Sequence, residues 1–314
     1  MRNSKVSKSR PDPIPIPVIL GPTGVGKTEI AIEVAQAVDA EIVSADSRQV
    51  YKYMDIGTAK PTAEQRKAVP HWMIDMIEPD VDYSAARYAT EAAAAIRRVV
   101  EKKRVLLVGG SGLYIQALFE GLFPAPPPDH ALRKKLRREA DKLSSEALHL
   151  RLKRVDPRSA QRIHPHDAKR IIRALEIYEL TGAPISQLQE GHVAEAEFRP
   201  HYIGLTRERQ VLNLRIEERV DRMIERGFVE EVKRILKRGY SPHLNSLNTL
   251  GYREMIGLLD GKLSLPEAVE LTKRHTKAYA KRQLSWFQRI EDVRWIDLSE
   301  DQTSSATSRI CHMV

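Results

Sequence analysis

Residues 21–28 read GPTGVGKT and follow the short apolar run Val18-Ile19-Leu20. A glycine-rich loop of the form G-x-x-x-x-G-K-[ST] wraps phosphate oxygens in backbone N–H groups, with the lysine and the hydroxyl reaching further along. The feature dictates a strand, a tight loop and a helix in immediate succession. Its usual ligand is ATP, which makes ATP the first candidate to test against the remaining sequence.

The segments that follow extend the same pattern. TEIAIEVAQAV repeats its apolar residues at helical spacing, and AEIVSAD reads as a second strand ending at Asp46. Ser84 sits where its oxygen can cap an alanine-rich helix, and RVLLVGGSG is an apolar run suited to a strand buried on both faces. Alternating strands and helices predict an α/β fold: a phosphate-loop parallel sheet flanked by helices. FPAPPPDH, at 123–130, breaks the alternation, because successive prolines continue neither a helix nor an interior strand. Residues 126–195 then read as an inserted, mainly helical and basic domain. Within it DAKRIIRALEIYELTG should end at Gly182 and Pro184. HYIGLT returns to the sheet, helices follow, and VRWIDL supplies a last strand. The expected organisation is a disordered basic tail over 1–17, a catalytic core of 18–125 and 196–298, the insert, and a disordered tail over 299–314.

A chain of 314 residues with 42% hydrophobic content can build a sizeable core without staples. Its single cysteine, Cys311, allows neither a disulfide framework nor a Cys-based zinc site, and fits a reducing cytoplasm. No apolar run has the length of a membrane helix, and the basic N-terminus lacks the apolar core of a secretory signal. The net charge of +9 points to an anionic partner. The clusters RKKLRRE (133–139), RLKR (151–154) and KRIIR (169–173) concentrate that charge in the insert, away from the phosphate loop.

Nucleotide-hydrolysing loop proteins place an aspartate at the end of a later apolar strand to help hold magnesium. Here VLLVGGSG has glycine, so the position reads as a second phosphate-friendly turn with Ser111 adding a hydroxyl, or simply as a tight turn. The acid of interest becomes Asp46, which a doubly wound sheet brings to the strand ends beside the loop. Taken alone, Asp46 suits a helix cap, a magnesium-water ligand or a general base.

The stretch SADSRQVYKYMDIGTAKP, together with GPTGVGKT, VGGSGLY, DAKRIIRALEIYELTG and GYREM, resembles the tRNA dimethylallyltransferase (isopentenyltransferase) family, in order from about Val18 to Trp295. The resemblance implies that residues Gly21, Pro22, Thr23, Gly24, Val25, Gly26, Lys27 and Thr28 hold the diphosphate of dimethylallyl diphosphate instead of ATP. It further implies that the acceptor is the exocyclic N6 amine of the adenosine 3′ of a tRNA anticodon. Lys27 would neutralise the departing diphosphate, Thr28 would bind Mg2+ or a phosphate oxygen, and the Thr23 hydroxyl would also contact the diphosphate. Asp46 would take the proton from the amine. Arg215 and Arg219, one helical turn apart, would face the diphosphate; without the resemblance, pairing with Glu217 or Glu218 is the simpler reading. Asp46, Ser47, Arg48, Gln49 and Ser111 would meet the flipped adenine, and Lys169, Arg170, Ile171, Ile172 and Arg173 the anticodon stem-loop, with the insert clamping the RNA. The apolar stripe of that helix reads as core, which leaves Lys169, Arg170 and Arg173 as its RNA-facing side chains. No DDxxD magnesium motif of the chain-elongating prenyl synthases is present.

HTKAYAKRQLSWFQR resembles a further family signature, with Lys277 and Ser285 where arginine and threonine are usual, and Gly24-Val25 replaces the common Ala-Ser of the loop. Trp286 and Phe287 read as core more readily than as RNA-stacking groups, and His71, His164 and His166 form no ligand spacing with a cysteine. The rival functions are a prenyltransferase acting on free AMP or ATP, which needs no basic insert, an ATP-dependent small-molecule kinase, and a non-catalytic RNA-binding module. A monomer is the expected state.

Overall fold

The computed structural model describes residues 12–190, 197–299 and 303–314. Strands β1 (Ile14–Leu20), β2 (Ala40–Ala45), β3 (His71–Trp72), β4 (Arg104–Gly109), β5 (Phe198–Thr206) and β6 (Arg294–Asp297) form one sheet in the order β3-β2-β4-β1-β5-β6. All pairings are parallel, so every connection must cross a face of the sheet. Leu20 lies opposite both Gly109 and Gly204, which brings the ends of β1, β4 and β5 to one level. Val18, Ile19, Leu20, Leu106 and Leu107 are fully buried, as strands covered on both faces require.

β1 begins at Ile14, inside the stretch read as a disordered tail. Prolines at 15 and 17 argue against a central strand, but β1 pairs with β4 only from Val18 onward. Ile14 donates its N–H to Glu197 on the β5 side. Backbone groups of alternate residues therefore face β5, and Pro15 and Pro17 point to the side where no partner asks for a donor. Residues 1–11 of the expected tail lie outside the described residues.

Helix α1 (Lys27–Ala37) follows the phosphate loop and buries Ile30, Ala31, Val34 and Ala35 at helical spacing. α2 (Ala63–Ala68), α3 (Ala85–Val100) and α4 (Gly112–Phe119) complete the first half, and Ser84 caps α3 by accepting a hydrogen bond from the Arg87 N–H.

The chain divides into two compact units, Met1–Phe119 with Ala196–Val314, and Glu120–Glu195. The second unit contains α5 (His130–Leu143), α6 (Ser145–Val155), α7 (Pro157–Arg162), α8 (Ala168–Thr181) and α9 (Ile185–Glu190) around Leu136, Leu148, Leu152, Ile171, Ile172 and Leu175. Asp167 caps α8 and Gly182, in the left-handed region at φ 71°, ends it.

The first unit resumes with β5, α10 (Arg209–Glu225), α11 (Phe228–Lys237), α12 (Tyr252–Leu259), α13 (Leu265–Phe287), β6 and α14 (Thr303–Cys311). α14 corrects the expectation of a disordered C-terminal tail. Ala306 and Ile310, one turn apart, are fully buried in the core that includes α1, and Cys311, Met313 and Val314 pack against it. So few apolar residues among serines and threonines give no periodic signal; only the tertiary contact holds this helix.

Candidate active site

The phosphate loop runs from the end of β1 to the first turn of α1. Gly26 has φ 109°, a conformation that only glycine adopts without strain, and the N–H groups of the first turn of α1 point outward along the axis, as at any helix N-terminus. Lys27 turns back over the loop, donating from Nζ to the carbonyls of Gly21 and Pro22, each at 2.8 Å. Burial, and then the neighbouring Arg219 guanidinium, lower the Lys27 pKa to about 8. Burial also lowers that of Arg219, with Asp46 partly opposing.

Arg215 and Arg219 do not pair with the glutamates of their own helix. Glu217 is taken by Lys277 from α13, and Arg215 donates from Nε to the Gly24 carbonyl at 3.1 Å. Arg219 has no hydrogen-bond partner among the described residues. Cationic groups therefore accumulate at a helix N-terminus, a setting that favours a bound anion.

Asp46 stands just beyond β2. Its Oδ1 accepts from the N–H groups of Arg48 (2.8 Å) and Gln49 (3.3 Å), the pattern of a turn cap. Its Oδ2 has no hydrogen-bond partner among the described residues, so one oxygen fixes the carboxylate and the other stays available. Asp46, Lys27, Thr28, Ser44, Gln49 and His71 line a common cavity of about 50 Å³. His71 Nδ1 lies 2.7 Å from the Val69 carbonyl, which places its proton there, and burial lowers its pKa.

Ser111 accepts at Oγ from the Ser47 N–H at 2.9 Å, tying the turn after β4 to the Asp46 turn. Gln49 is fully engaged: Oε1 accepts from Ser44 Oγ, and Nε2 donates to the Thr58 and Ala59 carbonyls. Arg48 donates from Nη1 to the Asn245 carbonyl. The glycines after β4 serve close packing. A side chain on Gly110 would collide with Gln283, and one on Gly112 with Trp286, both on α13.

Gln283 is a residue that sequence reasoning did not single out. Its Oε1 accepts from the Thr23 N–H at 2.9 Å and its Nε2 donates to the Gly110 carbonyl at 2.8 Å, so one buried amide joins the phosphate loop to the β4 turn. Tyr279, one turn earlier, has its pKa raised by burial and then by Asp46. The polar stretch 51–61 is braced by buried charges. Glu231 accepts from the N–H groups of Asp55, Ile56 and Gly57 and from the Tyr252 hydroxyl, while Lys60 donates to the Tyr51 carbonyl, Asp55 and Asp75. Such buried polar groups are tolerated because each is saturated. Phe287 is fully buried, the core role favoured for it, whereas Trp286 packs on Gly112 and is only partly buried.

The α8 residues divide differently from the expected set. Lys169 and Arg170 are exposed, whereas Ile171 and Ile172 are 0% and 7% exposed and belong to the core of the helical unit, so neither can meet RNA. Arg173 is held within the fold: Nη1 donates to the buried Glu176 at 2.6 Å and Nη2 to the Pro126 carbonyl at 3.1 Å. Exposed Lys134, Lys135, Arg138 and Lys142 instead share one face of α5 around a surface depression. Among the described residues there is no cluster of three His, Cys, Asp or Glu side chains suited to a metal, and no helix long and apolar enough to cross a membrane. The Thr28 and Asp46 oxygens do suit Mg2+, which commonly takes one or two protein ligands and fills its shell with waters and phosphate oxygens.

Residues 49–290 match the family model described as IPP transferase. The tRNA dimethylallyltransferase of Pelotomaculum thermopropionicum is 49% identical over 286 residues, covering 90% of this chain and 91% of its own length. The enzyme of the same name from Thermotoga maritima is 47% identical over 300 residues, covering 95% and 97%. Among solved structures, the tRNA isopentenylpyrophosphate transferase of Bacillus halodurans aligns with a TM-score of 0.68 at 38% identity, covering 95% of this chain and 94% of that one. A eukaryotic dimethylallyltransferase acting on tRNA aligns at 0.77 and 28% identity, covering 94% and 77%. The chain belongs to the IPP transferase family.

Proposed function

We propose that this chain transfers the dimethylallyl group of dimethylallyl diphosphate to the N6 amine of the adenosine 3′ of the anticodon in tRNA. The observation that carries the reading is the pairing of a cation-crowded phosphate loop with one anchored, half-free carboxylate, Asp46, on the same cavity. The diphosphate lies in the loop, where the N–H groups of Gly24, Gly26, Lys27 and Thr28 receive its oxygens. Lys27 leaves the Gly21 and Pro22 carbonyls for it, and Arg215 and Arg219 offset its charge. The Thr23 hydroxyl contributes a further contact, its backbone fixed by Gln283.

The acceptor N6 attacks C1 of the allyl group as the C1–O bond breaks. The carbon–oxygen electron pair departs with the diphosphate, and Asp46 Oδ2 takes the proton that the amine loses. Negative charge grows on the leaving group, where a well-placed cation or donor contributes roughly 3 to 4 kcal/mol. Thr28 would hold Mg2+ together with phosphate oxygens, and the ion would further stabilise that charge. The adenine must leave its stack to reach Asp46; the Asp46–Gln49 turn and Ser111 border its entry, and the cations of the helical unit hold RNA phosphates.

Incubating the protein with labelled dimethylallyl diphosphate and, separately, with tRNA, AMP and ATP tests this. Label should appear in tRNA alone. Transfer to AMP or ATP would instead establish the free-nucleotide prenyltransferase.

A further inference from the structure

Arg207, which carries no motif in the sequence, stands at the same end of the sheet as the phosphate loop. β5 runs beside β1 with Gly204 opposite Leu20, so the residues immediately after β5 emerge beside residues 21–28. Arg207 Nε donates to the Val25 carbonyl at 2.9 Å, and Nη1 donates to the Leu298 carbonyl at the end of β6. These bonds fix the plane of the guanidinium and leave Nη2 directed at Gly26. Arg215 is fixed in the same manner on the Gly24 carbonyl. The Nη2 atoms of Arg207 and Arg215 each lie 3.8 Å from the point where a Gly26 side chain would begin.

Two guanidiniums thus converge on the first turn of α1, and neither has an ion-pair partner among the described residues. Glu29 comes within 3.9 Å of the same point, but forms no ion pair with either arginine. Burial, and then Arg215, lower the Arg207 pKa against the smaller opposing pull of Asp297 and Glu29, so the two cations stand together at a net electrostatic cost that an anion between them would relieve. A purely structural arginine would gain from a paired acid; here backbone carbonyls hold the cation, and Glu29 and Asp297, though near enough to favour its charge, form no ion pair with it. That is the construction of a preorganised anion receptor, in which planar N–H donors are aimed before the ligand arrives.

Resting on the donor reading above, we infer that Arg207 is a further donor-binding residue, which with Arg215 grips the terminal phosphate of the allylic diphosphate. Gly26 leaves the space in which that phosphate approaches both guanidiniums.

The test compares Arg207→Lys with Arg207→Met in the full-length protein. Both lose the paired carbonyl hydrogen bonds, so any folding penalty is shared, and melting temperatures monitor it; only the lysine keeps the charge. Binding of inorganic pyrophosphate with Mg2+ is measured by calorimetry, and KM for dimethylallyl diphosphate and for tRNA by steady-state transfer. Arg207→Met should weaken pyrophosphate binding and raise the donor KM by about 10- to 100-fold, with the tRNA KM unchanged. Arg207→Lys should recover most of that loss. Unchanged donor binding in Arg207→Met, or equal impairment of both variants, would overturn the inference and leave Arg207 a brace for the loop. Should the methionine variant not fold, Arg207→Gln, which can still donate to a carbonyl, replaces it as the neutral member. Wild-type protein that prenylates tRNA while the variants behave alike removes this inference alone; wild-type protein that fails to prenylate tRNA removes the functional reading beneath it.

Discussion

Lys27 and Lys134 carry the same charge in opposite surroundings. Lys27 is half-buried, held by two carbonyls, crowded by Arg219, and has a pKa lowered to about 8. Lys134 is exposed on α5 beside Lys135, Arg138 and Lys142, free to move on its stem. A buried, braced cation can stabilise charge that develops at one atom during a reaction, because nothing must reorganise when the charge appears. An exposed cation gains little from one contact and is screened by salt, but a row of them neutralises a phosphate backbone over its length. The phosphate-loop region should therefore govern rate, and the α5 face should govern RNA affinity and its salt dependence.

The largest effect should come from Asp46→Asn. The amide oxygen can still accept from the Arg48 and Gln49 N–H groups, so the turn survives while the base is lost. We expect kcat to fall about 100- to 10,000-fold with the melting temperature unchanged. A single-turnover assay with saturating tRNA and donor measures this; near-normal turnover would return Asp46 to a capping role alone.

Next comes Lys27→Met, with an expected loss of roughly 100- to 1,000-fold in kcat. The lowered pKa adds a sign. Lys27 binds the diphosphate as the cation, which is fully present below pH 8 and depleted above it. kcat/KM for the donor should therefore be level below about pH 8 and fall as pH rises through it. A pH profile in wild type that lacks this limb would place the leaving-group cation elsewhere.

Removing charge from α5 tests the other side of the comparison. Replacing Lys134, Lys135, Arg138 and Lys142 with glutamine should leave single-turnover rates at saturating tRNA unchanged. The slope of log affinity against log salt should become shallower by about 0.7 to 0.9 for each RNA phosphate that is no longer neutralised. An unaltered slope, measured by tRNA titration from low to moderate salt, would move the RNA surface away from α5.

The two regions also differ in how well the sequence exposes them. Gly21–Thr28 and Asp46 are legible because a backbone cradle demands glycine at fixed spacing and a strand end demands a particular neighbour. β1, β2, β4, β5 and β6, with α1, α3, α8, α10 and α13, likewise follow from apolar spacing and capping residues. Gln283 is not legible: it lies 260 residues from Thr23, and an amide in a long helix signals nothing until α13 is packed against the loop. Arg207 is hidden for the same reason, since its meaning comes from the parallel register of β1 and β5. Glu231 reads as one more surface acid of an amphipathic helix, yet it receives three consecutive N–H groups of the 55–57 turn. β3 and α2 are too short to show a period, and α14 offers just Ala306 and Ile310 as fully buried residues, with Cys311 packed beside them.

The smallest expected effect sharpens the comparison within one helix. Lys169, Arg170 and Arg173 look alike in sequence, all basic and all on the polar side of an apolar stripe. In the fold Lys169 and Arg170 are exposed, while Arg173 is committed to Glu176, whose side chain has no solvent exposure and whose carboxyl pKa stays low despite burial because Arg173, the Asp129 N–H and Arg133 all donate to it. A cation already spent on a buried carboxylate has little left for an RNA phosphate. Lys169→Gln with Arg170→Gln should make the salt slope shallower by about one to two units. Arg173→Gln should leave the slope unchanged and lower the melting temperature instead, because Glu176 loses a donor where water cannot replace it. If Arg173→Gln shifts the salt slope as much as the exposed pair does, α8 must release Arg173 on binding RNA, and the division between braced and free cations fails at that residue.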